Sequence, residues 1–407
     1  VTILMLSFYL LSVGWPLAPQ DSMHACCDYY AAYREGSGGD IDLHTSIDVW
    51  CDTSGVPVYA VADGYVKVWV NTWGGSPYGW GLGIGDEYGT DSMNVWSYWH
   101  LNSTMYHLEA GDTCSAGELI GYIVHWFDTG QPVRFHHVDL GRRRSAYPWT
   151  SALVIQNPLV LVAPNTDTLD PVFEDAHATG RFAFCRDNTS DYLDPDSLHG
   201  DVDIIALIHD LTGYPTAWPE WDRLTPYKIE YRIHGPDTIP TIRMMEFSGL
   251  LNWDSLSAVT IYKNDAVCNS SGPYYAKDFY FIVTNTDGDT LIEPSDSAGC
   301  WQTDSCEDGT YWVVVTAYDI CGNMQSDSMQ VTVQNGPGVE EWPIAKPIEH
   351  DDNITATIFY GPLQLPEDRK CIIYDIAGRV VESDKLQPGI YFIEVDGVVT
   401  QKVVKIR

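Results

Sequence analysis

Positive charge is scarce in this chain. Its 407 residues hold 22 Lys and Arg against 56 Asp and Glu, a formal net charge of −34. Phosphate backbones and anionic lipid repel such a chain, so neither nucleic acid nor a membrane surface is an expected partner. Long apolar runs are missing too. The run Ile3–Val13, inside "VTILMLSFYLLSVGWPLAPQ", is too short to cross a bilayer, and no transmembrane segment is expected. It has the length of a signal-peptide core but no basic flank. A leader over residues 1–20 is expected, the alternative being a buried N-terminal strand. None of the ten cysteines stands in C-x-x-C spacing, which removes zinc ribbons and thioredoxin-like motifs. With an export signal, disulfides are expected instead, Cys300/Cys306 and Cys268/Cys321 being candidate pairs. Gly-rich phosphate loops and a G-x-S-x-G elbow are absent. Helical periodicity is almost absent.

Short β-branched and aromatic runs bounded by Gly, Asp, Asn and Pro fill the chain instead. "VPVYAVADGYVKVWV", "PYKIEYRIHG" and "GTYWVVVTAYDICGN" are examples. They predict a mainly β fold. The length suggests two to four domains at roughly 100–200 residues each. A first block, 21–165, carries most of the Trp and ends at the Pro/Asn/Asp-rich "NPLVLVAPNTDTLDP". A second, 166–336, has the strand content of one or two Ig-like β-sandwich modules. A linker over 337–345 precedes a short strand-like block, 346–407. A monomer is expected.

The chemistry-bearing residues lie in the first block. "HTSID" spaces His44 and Asp48 four apart. On a straight strand they would stand about 13 Å apart at ~3.3 Å per residue, so they can share a metal only if the chain bends between them. "YWHL" puts His100 at the end of an aromatic strand, where a core histidine bonded to a carbonyl is the alternative. In "VRFHHVDL", strand alternation puts Phe135, His137 and Asp139 on one face and Arg134, His136 and Val138 on the other. Only one of the two adjacent histidines can therefore point with the other ligands. The aspartates of "DNTSDYLDPDS", 187–197, form either a calcium loop or a solvated loop. The glycine of a regular calcium loop is missing there.

In order, "HTSID", "GVPVYAVADGYV", "YWHL", "GDTCSAGELIG" and "FHHVDL" resemble the motifs of lysostaphin-type zinc endopeptidases, which cut peptide cross-bridges of bacterial cell walls. The resemblance covers about residues 40–140. It implies an antiparallel β-sheet peptidase domain with zinc held by His44, Asp48 and His137. It implies His100 as a catalytic histidine that is not a ligand. Two imidazoles, one carboxylate and an open position suit catalytic rather than structural zinc. His136 is expected as a bystander on the outer face. Two departures stand out. Phe135 occupies the position of the family's second catalytic histidine, and Ser46 replaces a glycine. Phe cannot move a proton, and losing such a group costs about 10²–10⁴ in rate. The expected function is thus a zinc metalloendopeptidase acting on peptidoglycan or other proteins, of reduced activity. The alternative is a non-catalytic zinc-containing cell-wall or surface binding module.

The last block, with "IIYDIAGRVV", "LQPGIYFIEV" and "KVVKIR", resembles the sorting domain of the type IX secretion system, a small C-terminal β-sandwich. A final Ig-like module is the alternative. The resemblance implies the type IX secretion machinery as a partner. It also implies passage through the periplasm to a secreted or surface-attached state, in a Bacteroidetes-like source.

Overall fold

A computed structural model of the chain describes residues 12–35, 41–87, 93–126, 136–145, 152–178, 180–211, 222–249, 255–271, 277–289, 291–335, 358–359, 365, 370–375, 379–395 and 398–405. The chain divides into two compact units, Val1–Gly336 and Pro337–Arg407. Both are built from β-strands, and the fold is mainly β as expected.

The larger unit opens with strands β1 (Cys26–Asp28), β2 (Tyr33–Glu35), β3 (Ile41–Leu43), β4 (Ser46–Cys51), β5 (Pro57–Tyr59) and β6 (Gly64–Asn71). Then come β7 (Trp80–Gly85), β8 (Met93–Trp99), β9 (Thr113–Cys114), β10 (Leu119–Tyr122), β11 (His136–Ser145) and β12 (Ala152–Gln156). Eight of them form one antiparallel sheet in the order β1-β4-β11-β8-β7-β6-β9, with β12 also on β11. β2 and β3 form a separate ribbon, as do β5 and β10. Asp63-Gly64 leads into β6, but the strands on either side do not form the hairpin that a turn there suggests: β5 pairs with β10, and β6 with β7 and β9. Gly81 on β7 is needed for space. A Cβ there would lie 2.3 Å from the Trp99 ring, which packs across it from β8.

The same unit continues with β13 (Val172–Glu174), β14 (Phe182–Arg186), β15 (Asp201–Leu211), β16 (Arg223–Leu224), β17 (Lys228–His234) and β18 (Ile239–Glu246). After these come helix α1 (Ser255–Ile261) and strands β19 (Tyr280–Ile282), β20 (Trp301–Gln302), β21 (Gly309–Tyr318) and β22 (Met324–Val333). β15 is central to one sheet, and β18-β17-β21-β22 form another. The sequence explains the difference between them. β15 reads "DVDIIALIHDL" and is buried almost end to end, so both of its faces are covered. β21 reads "GTYWVVVTAY": Tyr311, Val313, Val315 and Ala317 are fully buried, while the alternate Trp312 is exposed. One hydrophobic core runs from Trp15 through Tyr98 and Ile204 to Val333.

Two expectations change here. Residues 13–17, placed within a leader ending at residue 20, are part of this core. Trp15 is fully buried, its Nε1 donates to the Pro164 carbonyl at 2.9 Å, and Val13 bridges Val162. All ten cysteines are free thiols, so neither expected disulfide is formed. Cys268 Sγ donates instead to the Ala176 carbonyl at 3.5 Å, and Cys306 Sγ to the Gln302 carbonyl at 3.6 Å. No helix among the described residues is long and apolar enough to cross a membrane.

In the smaller unit, β23 (Ile358–Phe359), β24 (Cys371–Asp375), β25 (Val380–Val381), β26 (Gly389–Val395) and β27 (Val398–Lys405) form one sheet in the order β23-β27-β26-β24-β25. Ile373, Leu386, Tyr391, Ile393, Val395 and Val403 make its core. Arg379, just before β25, donates from its Nε to Asp375 Oδ2 at 2.7 Å.

Candidate metal centre

Register builds the site. β4 lies between β1 and β11, with Asp28 opposite Asp48 and Asp48 opposite Asp139. Directly paired residues share a face of the sheet, so the three carboxylates form one row across three strands. All three are buried. Like charges placed directly opposite are unfavourable, so the row requires positive charge.

His44 supplies part of it. Its backbone does not continue into β4. The His44 N–H donates to the Ala32 carbonyl at 2.8 Å, and its carbonyl accepts from Ala31 at 2.7 Å, which ties it to the ribbon side. The strand is interrupted at His44 and Thr45, between β3 and β4. This interruption lies where the four-residue spacing requires the chain to depart from a straight strand. It leaves His44 Nε2 3.3 Å from Asp48 Oδ1 and 3.6 Å from Asp139 Oδ2. His44 Nδ1 lies 3.1 Å from the Tyr29 carbonyl. A carbonyl only accepts, so Nδ1 carries hydrogen and Nε2 faces the carboxylates. Ser46, at the family's glycine position, keeps a negative φ and puts its Oγ 2.9 Å from that same Nε2.

Two further cations complete the cluster. Arg34 Nη2 lies 3.5 Å from Asp48 Oδ2, and its Nε 3.5 Å from Asp28 Oδ2. Lys277, fully buried, reaches in from the second block. Its Nζ donates to the Cys27 carbonyl and stands 3.4 Å from Asp28 Oδ1. Burial and Arg34 push the His44 pKa down, but Asp48, Asp28 and Asp139 outweigh them and raise it to about 9. Burial works to raise the Asp48 carboxyl, yet His44 and His137 hold it well below its usual range. Asp139 is likewise held low, chiefly by His44 acting against burial.

His137 faces this row from β11, its Nε2 3.7 Å from Asp48 Oδ2. His100 closes the other side. Its ring centroid is 4.6 Å from that of His137 and 4.7 Å from that of Trp126. His100 has a φ of 66°, a left-handed conformation that costs a non-glycine residue about 1–3 kcal/mol. That kink after β8 points the ring at His137. His100 Nδ1 lies 2.7 Å from the Tyr78 carbonyl, so Nδ1 is the protonated nitrogen. Burial, then His137, pushes its pKa down to about 4, and it is neutral at neutral pH. Trp73 and Tyr78 extend the aromatic wall: Trp73 stacks edge-on to His100 and Trp126, and Tyr78 lies against Trp126.

His44, Asp48, His137 and His100 are thus brought together. His136 is not with them, but neither is it on an outer face. It is buried, with Nδ1 accepting from the Trp126 N–H at 3.2 Å. Phe135 lies outside the described residues. The donor atoms that all lie within 4.8 Å of one another are those of Asp28, His44 and Asp48. Asp48 Oδ1 and Asp28 Oδ2 are buried with no hydrogen-bond partner. Imidazole nitrogen beside carboxylate oxygen is a donor set that fits zinc. The sequence did not single out Asp28, Arg34 or Lys277. Asp139 is legible from its place two residues after His137.

Among solved structures, the chain is similar to the antimicrobial peptidase lysostaphin from Staphylococcus simulans, at 16% identity over 67% of this chain and 92% of that one, with a TM-score of 0.27. It is also similar to Helicobacter pylori Csd3, at 18% identity over 39% of this chain and 37% of that one, with a TM-score of 0.26. The chain thus spans little more than a third of the length of Csd3. No family model and no curated protein matches the chain.

Proposed function

We propose that the larger unit is a zinc-dependent endopeptidase acting on peptidoglycan peptides or other proteins, with His44, Asp48 and His137 as ligands and His100 as the catalytic histidine. The observation that carries this reading is the convergence of His44 and His137 on the two oxygens of Asp48, at 3.3 Å and 3.7 Å. Bound zinc would polarise a scissile carbonyl and acidify water. The Tyr29 carbonyl orients His44 through Nδ1, leaving Nε2 as the donor atom. Neutral His100, fixed by Tyr78, keeps a lone pair on Nε2 that can accept a proton or a hydrogen bond. Exposed Trp73 gives a peptide chain an apolar surface beside His100.

The test is hydrolysis of purified peptidoglycan by the full chain, stripped with chelator and reloaded with zinc. New amino groups released by the wild type, and lost in His137→Ala, are the expected result. A wild type that binds zinc and releases none overturns the peptidase reading.

A second reading, a non-catalytic binding module, is favoured by Arg34. Its guanidinium lies against Asp48, and with Lys277 and protonated His44 it balances Asp28, Asp48 and Asp139 without a metal. Phe135 in place of a histidine favours it as well. If Phe135→His creates hydrolysis in an inactive wild type, the chain is a binding module one residue from activity.

We infer further that residues 346–407 are a sorting module for type IX secretion and that the chain is exported by that route. The "GIYFIEV" strand and the basic end "KVVKIR" support this. Secretion that persists after removal of 346–407 would overturn it.

A further inference from the structure

A second group of carboxylates lies in the same unit, away from the cluster just described. Asp210 comes from the end of β15, Asp319 from the turn after β21, and Asp167 from the segment joining the first block to the second. Their carboxylate oxygens all lie within 4.8 Å of one another. Asp210 is 1% exposed and Asp319 is 2% exposed. Neutral donors and backbone account for their contacts. The Asn323 N–H and Nδ2 donate to Asp319 at 2.7 and 2.6 Å, and the Leu169 N–H donates to Asp167 Oδ1 at 3.0 Å. Asn323 Nδ2 also holds the Asp167 carbonyl at 3.0 Å.

Two observations go beyond acidity. Asp210 Oδ1 is buried and has no hydrogen-bond partner. Natively buried polar atoms are nearly always satisfied, so an orphan of this kind calls for a missing partner. Moreover, no Lys, Arg or His among the described residues forms an ion pair with any of the three carboxylates. A small cavity borders Asp210, between Tyr29, Thr225 and Ile320.

We propose that Asp167, Asp210 and Asp319 bind a calcium ion. All the donors are oxygen, the preference of hard cations, and no thiol or imidazole contributes. Calcium holds its oxygen ligands at about 2.3–2.6 Å, and carboxylate oxygens that all lie within 4.8 Å of one another are close enough to share one ion. The ion supplies Asp210 Oδ1 with its partner and the group with its countercharge. It also fastens the connecting segment at Asp167 to the ends of β15 and β21, which makes it a structural ion rather than a catalytic one.

The experiment uses the full chain, depleted with chelator and titrated with calcium chloride. Calorimetry and thermal melting are the readouts. Expected are a rise in melting temperature and binding with Kd of about 0.1–1 mM or tighter, as in extracellular calcium modules. Asp167→Asn changes only a half-buried residue of the connecting segment, and it should weaken binding at least about tenfold while the protein stays folded. Asp210→Asn should abolish the calcium-dependent shift. Asp194→Asn, in the acidic loop of 187–197, should leave binding unchanged. The proposal is overturned if calcium at about 10 mM, well above the Kd of known weak sites, moves nothing in the wild type. It is also overturned if Asp167→Asn and Asp210→Asn bind as the wild type does, or if Asp194→Asn alone loses binding.

Discussion

Asp28, Asp48 and Asp139 stand beside Arg34, Lys277 and His44. Asp167, Asp210 and Asp319 stand beside Asn323 and backbone amides. Both groups put carboxylates into a protein interior, where an uncompensated charge is costly. The first group is neutralised by the chain's own cations, so it can persist with or without a metal. Among the described residues, the second has no cation paired with it. Carboxylate density alone therefore does not mark a metal centre; what matters is whether the fold already provides the opposite charge.

The largest expected effect comes from removing one of those cations. Lys277→Met leaves Asp28 and the Cys27 carbonyl without their ammonium. Breaking a buried pair from one side costs about 3–5 kcal/mol, so urea denaturation should show a loss of that size. The pH response comes next. The His44 pKa is raised from 6.5 to about 9, so its contribution is fully present below pH 6.5 and is lost as pH rises through about 9. Metal-free protein should lose on the order of 3 kcal/mol across that window in melts at constant ionic strength. Zinc must displace the same proton, so its affinity should climb with pH up to about 9 in competition titrations.

A pair of identical substitutions sharpens the contrast. Without added metal, Asp48→Asn takes a carboxylate away from Arg34, His44 and His137 and should destabilise by about 2–3 kcal/mol. Asp210→Asn relieves repulsion and should stabilise by about 1 kcal/mol. Equal signs for the two would show that the groups do not differ in charge balance. The smallest effect is expected from Ser46→Ala. Removing the hydroxyl from His44 Nε2 should tighten zinc binding by less than about tenfold, with no change in fold.

The strands were legible because alternation is local. "GTYWVVVTAY" announces which side faces the core, and "FHHVDL" announces that His137 and Asp139 travel together. A departure from a straight strand between His44 and Asp48 follows from their spacing alone if the two are to meet. The rest of the centre depends on register and on distance along the chain. That Asp28, Asp48 and Asp139 share a row follows from how three strands align, which no single strand encodes. Lys277 arrives from some 250 positions away. The acidic run at 187–197 drew attention because its aspartates are neighbours in sequence. In the fold they serve turns instead, as Asp194 does in accepting from the Asp196 N–H at 3.0 Å. The three that converge come from three distant segments.

Lys277 also changes what counts as a portable piece of this protein. It is joined by Tyr262, whose hydroxyl bonds the Ala31 carbonyl, by Thr225, which bonds the Tyr30 carbonyl, and by Asn264, which bonds the Tyr33 hydroxyl. The loop that cradles His44 is therefore held from outside its own block. Recombination that carried only the first block into another gene would leave behind the residues that shape its centre. The two blocks are expected to be inherited, and to drift, as a single unit.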